Sequence, residues 1–123
     1  MLPSAYRLTQ HNDFSAVLRS GKRAGRSRVV VHALPAGETG VERGHPARVG
    51  LVVSKSVGGS VVRHRVARKL RHVMRDVVPS LPPGTLLVLR ALSVAATATS
   101  GELEADISAA LHKLGFLRTS DSA

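Results

Sequence analysis

The chain has 123 residues, enough for one domain with a modest core, and 43% hydrophobic with 21% charged residues is the make-up of a folded domain, not of a disordered tract. Lys and Arg number 18 against 8 Asp and Glu, so the net charge is +10 and the pI about 11.6, a field that gathers and steers polyanions. With no Cys, disulfides and thiolate metal sites are excluded, and no run of about 18 apolar residues exists to cross a bilayer.

The opening MLPSAYRLTQHNDF lacks the basic-then-apolar layout of a secretory signal, which points to the cytoplasm. Residues 1–123 read as one domain, with 1–6 and 117–123 as flexible tails. Asn12 is placed to cap a short helix in which Phe14, Val17 and Leu18 fall at i, i+3 and i+4, and Gly21 to end it. A weak strand near Lys22 to Gly25 precedes the β-branched run from Arg28 to Leu34, which holds His32. The stretch 35–46, PAGETGVERGHP, has the content of an exposed loop. Residues 47–54, ARVGLVVS, read as a second clear strand with Val49, Leu51 and Val53 on one side.

Gly58 and Gly59 then break the chain, and Ser60 is a candidate cap for a helix that stops before Pro79. After a turn at 79–84, TLLVLRAL (85–92) is apolar enough for a central strand. The last helix spans about 101 to 114. Thr99 and Glu102 have capping-box spacing, Gly115 closes it, and Leu103, Ile107, Leu111 and Leu114 form its buried stripe. Its acids Glu102, Glu104 and Asp106 suit the positive helix end and solvent. The order predicts a sheet with helices packed on it.

The segment from Ser60 to Val78 carries the functional signal. At about 100° per residue, Val62, Val66, Leu70, Val73 and Val77 share one sector, while His64, Arg68, Arg71 and Arg75 lie opposite, flanked by Arg65 and His72. Arg63 sits near the apolar edge, from which a long side chain reaches outward. No acid occurs from Arg43 through Arg75. Like charges at i, i+3 or i+4 cost a few tenths of a kcal/mol each, and a nucleic-acid backbone is the natural counterpart because neutralised phosphates release counterions. A merely solvated charged face is the bland alternative, and it normally mixes signs. The glycine turn entering the helix suits a phosphate as well, although GxxxxGK[ST] is absent and nucleotide hydrolysis has little support. The acids are few and the histidines lack ligand spacing, so the chain reads as a binder.

RVGLVVSKSVGGSVVRHRVARKLRHVMRD, together with the opening RLTQHNDFSAVLRSG, resembles the bacterial ribonuclease P protein subunit family, and the likeness extends through TLLVLRA and the closing helix. The resemblance implies an α+β two-layer sandwich, ordered αβββαβα, with a left-handed βαβ crossover like that of ribosomal proteins. It implies a subunit of ribonuclease P that binds the catalytic RNA and the 5′ leader of precursor tRNA. By the same resemblance, endonucleolytic removal of the leader would be Mg²⁺-dependent and carried by the RNA. The ions would be held mainly by the RNA and none by the protein alone, in a 1:1 complex with no membrane.

By position, the RNA-binding residues implied are Lys55, Arg63, His64, Arg65, Arg68, Lys69, Arg71 and Arg75, and the leader cleft falls on Phe14, Leu18 and His32. Gly59 and His64 stand where the family has Asn, Ala67 where it has a basic residue, and Leu18 and His32 where aromatics are common. Phe14 is then the main stacking platform, with a plain core role as its alternative. Other readings are a structural or ribosomal RNA-binding protein, and a duplex-DNA reader. The latter lacks Asn or Gln on its basic face for base edges.

Overall fold

The computed structural model describes residues 6–8, 11–35 and 46–116. Most of the expected 35–46 loop and the expected tails at 1–5 and 117–123 lie outside the described residues. Tyr6, expected in a tail, is half-buried and packs on the core.

The elements are α1 (His11–Ser20), β1 (Lys22–Gly25), β2 (Val29–Leu34), β3 (Arg48–Val52), α2 (Ser60–Val77), β4 (Leu86–Ala91) and α3 (Ser100–Lys113), with 3₁₀ turns at Val78–Ser80 and Ser93–Thr97. This is the αβββαβα order of an α+β domain. The sheet runs β1-β2-β4-β3: β2 pairs antiparallel with both β1 and β4, while β3 pairs parallel to β4 and is joined to it through α2 as a βαβ unit. The apolar run Leu86–Leu89 is therefore central and buried on both faces, as its composition requires.

Alternation along the strands divides the core in two. Val29, Val31, Ala33, Val49, Leu87 and Leu89 meet Val66, Leu70, Val73 and Met74 of α2 and Leu103, Ile107 and Leu111 of α3. On the other face Leu34, Leu86 and Val88 meet Val17 of α1 and Leu8 of the N-terminal segment. That segment adds to the sheet beside β3, where Arg7 bridges Val49 and the Leu8 N–H donates to the Val49 carbonyl at 2.9 Å.

Three local expectations are corrected. Helix α1 begins at His11, so Asn12 lies inside its first turn and does not cap it. Gly59, in extended conformation, takes the cap position of α2, leaving Ser60 as the first helical residue. The acids of α3 are not simply solvated at a helix end. Asp106, only 7% exposed, accepts from the Arg28 backbone N–H at 3.1 Å and from its guanidinium at 3.3 Å, and Glu102 pairs with Arg28 at 2.9 Å. Glu102 also completes the expected capping box with Thr99. Its carboxyl is held below the ordinary value, first by the Thr99 backbone N–H and then by Arg28.

Candidate nucleic-acid interface

The interface is built on α2. Its inner face buries Val66, Leu70, Val73 and Met74, with Val62 and Val77 half-buried at the edges. This anchoring forces the remaining positions outward. His64, Arg65, Arg68, His72 and Arg75 are exposed, and Arg63 and Arg71 are half-buried. Among the described residues the one ion pair on this ridge is Arg75 with its neighbour Asp76, at 3.9 Å and well exposed, which contributes little. Among the described residues no other acid neutralises the arginines of the ridge.

Lys69 behaves differently. Its ammonium donates to the Ala98 carbonyl at 2.8 Å, joining α2 to the turn before α3 on the flank away from the ridge. Lys55 lies exposed in the turn leaving β3, whose backbone closes through Val57 N–H to the Ser54 carbonyl and Gly58 N–H to the Lys55 carbonyl, both at 3.1 Å. Gly58 has φ +154°, and a Cβ there would stand 2.9 Å from Val62, so this turn requires glycine. It delivers the chain to an α2 N-terminus with no side-chain cap and no acid in its first turn, where free N–H groups and a positive helix end lie beside Lys55 and Arg63.

Grooves border the ridge. One, about 480 Å³, is lined by Ser60, Val61, His64, Arg65 and Arg68. Another, about 610 Å³, is lined by Arg7, His64, Arg68, Arg71 and His72. Arg7 and Arg71 also line a smaller hollow, about 280 Å³, whose floor includes Phe14 and Gly50. The basic helix and the cleft beside α1 are thus continuous. Local pattern carries no signal for Arg7, because its place depends on a long-range pairing with β3.

In that cleft the expected residues occupy different depths. Phe14 is half-buried against Gly50, where a Cβ would overlap its ring. It packs on the core and keeps part of its ring accessible. Leu18 is 46% exposed on α1. His32 is 7% exposed within β2, its Nε2 has no hydrogen-bond partner in the structure, and its pKa is lowered from 6.5 by burial first and then by Arg90 and Arg23. Among the described residues no three His, Asp or Glu side chains group as a metal site.

Comparison with known proteins shows the family of the chain. The family model for ribonuclease P matches residues 2–115. The chain belongs to the ribonuclease P protein family. It is 51% identical to the ribonuclease P protein component of Rhodococcus opacus, covering 95% of this chain and 94% of that one. Against the component of Corynebacterium diphtheriae it is 51% identical, covering 96% and 100%. The fold is similar to the ribonuclease P proteins of Staphylococcus aureus (TM-score 0.76, 19% identity, 92% and 98% coverage) and Thermotoga maritima (TM-score 0.68, 19% identity, 92% and 98% coverage). The chain is therefore a protein subunit of ribonuclease P, a ribonucleoprotein endoribonuclease of tRNA processing in which the RNA carries catalysis. Its partners are the ribonuclease P RNA and the tRNA substrate.

Proposed function

We propose that the α2 ridge seats on the catalytic RNA through Arg63, His64, Arg65, Arg68, Arg71 and Arg75, with Lys55 at the helix entrance. We further propose that the cleft beside α1 receives the single-stranded 5′ leader of precursor tRNA on Phe14, Leu18 and His32. The observation that carries the first part is a helix face dense in Arg, exposed, and without interleaved acids. Each phosphate it meets releases condensed counterions, so binding offsets the repulsion that the free ridge carries. Lys69, engaged with Ala98, acts chiefly within the fold.

For the second part, the support is the continuity of the ridge with the Phe14 hollow through Arg7 and Arg71. One RNA-bound protein can then touch both the RNA subunit and a strand leaving the cleavage site. In this reading the chain acts as one domain and one copy per RNA, in the cytoplasm. Mg²⁺ at the cleavage site belongs to the RNA and supplies the activated water and charge neutralisation there. The chain's own residues bind, orient and extend the substrate grip.

Reconstitution with ribonuclease P RNA tests this. At low Mg²⁺ the protein should restore leader removal from precursor tRNA, and the protein without RNA should cleave nothing. Cleavage by the protein alone that survives nuclease treatment would overturn the reading. A preference for precursor over mature tRNA that the protein leaves unchanged would remove the leader cleft.

A further inference from the structure

The sheet face beside α1 carries a cluster that the Phe14 cleft does not explain. Register places Arg23 of β1 directly opposite His32 of β2, and Arg90 of β4 opposite Val30, one step along the same face. Arg23 and Arg90 are both exposed, on strands either side of His32, and both act on its imidazole. Neither has an ion pair among the described residues. On this face Arg48 of β3 adds to the same sign, and α1, packed over it, contributes Asp13 and Arg19 at its two ends.

Two features make the cluster unusual for a sheet. Arg90 breaks the otherwise buried run of β4, being the strand's one exposed residue in a central position where an aliphatic side chain would be expected. His32 is more than nine-tenths buried with a ring nitrogen left without a partner, an arrangement that costs free energy unless something completes it. Two guanidiniums without an ion pair among the described residues, on the strands either side of a buried, unsatisfied imidazole, have the chemistry to attract a tetrahedral oxyanion.

We propose that Arg23 and Arg90, astride His32, form a phosphate-binding site for the backbone of single-stranded RNA, on the sheet face next to the Phe14 hollow. The proposal rests on the reading that the leader enters this cleft, and it names what holds the strand there. With Leu18 and His32 at positions where stacking rings would be expected, the grip is transferred from base faces to backbone phosphate. It is therefore indifferent to leader sequence and sensitive to salt.

The test uses the reconstituted holoenzyme with precursor tRNAs whose leaders are either too short to reach the sheet or several nucleotides longer. Arg23→Ala with Arg90→Ala should lower affinity for the long-leader substrate on the order of tenfold and leave short-leader affinity unchanged. The salt slope for the long leader should fall by about 0.7 for each phosphate that the variant no longer neutralises. Replacing the leader by a poly-U or poly-A strand should alter the loss little. Phe14→Leu separates the two levels. If Phe14→Leu weakens long-leader binding while the arginine variant does not, the phosphate site is wrong and the cleft stands. If neither variant affects it, both are wrong. Equal losses on short and long leaders would place the arginines on the RNA subunit and overturn the proposal.

Discussion

The ring of Phe14 lies against the backbone of Gly50, in the space that a side chain at position 50 would occupy. A helix residue and a strand glycine thus set the separation of α1 from the sheet, and with it the depth of the hollow shared by Arg7 and Arg71. Gly50→Ala should force the ring out and destabilise the fold by about 1–3 kcal/mol. Calorimetry should show a melting temperature several degrees lower. Combining it with Phe14→Leu should recover part of that loss, because the two sites touch. Additive effects would show that the ring does not depend on the glycine.

The α2 ridge is set by what lies beneath it. Val66 and Leu70 are fully buried, so Arg65 and Arg68 have nowhere to turn but out. Arg65→Ala with Arg68→Ala should leave stability within about 0.5 kcal/mol and weaken binding to ribonuclease P RNA. The slope of log affinity against log salt should flatten by about 0.7–0.9 for each phosphate left without its arginine. Leu70→Ala should do the reverse, costing about 2–5 kcal/mol of stability while the salt slope of the folded fraction holds. Filter binding at several salt concentrations, beside thermal melts, separates the two.

Most of this architecture is legible because the chain alternates and repeats at the right periods. The capping box at Thr99 and Glu102, the central apolar run of β4 and the two-sided α2 are local patterns with local causes. What local pattern misses is partnership across the chain. Asp106 reads as a helix-start acid until the approach to β2 brings Arg28, 78 positions away, against it. Arg7 reads as part of an opening segment until it bridges Val49. Lys69 has the right charge and nearly the right place for the ridge, and only the packing of the turn before α3 turns it toward Ala98. Periodicity put Phe14 and Leu18 on one face of α1, the family resemblance assigned them and His32 to a cleft, and the depth of His32 depends on strand order.

His32 should titrate below 6.5, because burial and the nearby Arg90 and Arg23 charges disfavour the imidazolium. As pH falls, the unfolded chain takes this proton first. The stabilising contribution is therefore complete above pH 6.5 and declines as pH drops through the lower folded value. Arg90 and Arg23 act against the imidazolium, and the other charged groups on the elements packed at this face, among the described residues, include Asp13 and Arg19 of α1 and Arg48 of β3. Histidine NMR titration should give a folded pKa under 6.5, moving upward when single-stranded RNA is bound. His32→Gln should flatten the fall in stability between neutral and mildly acid pH; an unchanged fall would assign that limb to another group.

Arg28 ties the start of β2 to α3 through two acids, and the two acids should fail differently. Asp106→Ala removes the acceptor for the Arg28 backbone N–H in a largely buried place and leaves the guanidinium with Glu102 as its remaining acid. It should cost about 2 kcal/mol, and Asp106→Asn, which keeps one acceptor oxygen, less than that. Glu102 keeps 43% of its side chain open to solvent, so its part is read from pH and not from size. The Thr99 N–H and Arg28 hold its folded pKa below 4.5, so its contribution is present above that value and is lost as pH falls through the folded pKa. Glu102→Gln should therefore match the wild type more closely at acid pH, below the folded pKa, than at neutral pH when the two are compared by urea denaturation. A gap that stays constant across that range would show that the carboxylate charge, and with it the Arg28 pair, does not contribute to holding α3 on the sheet.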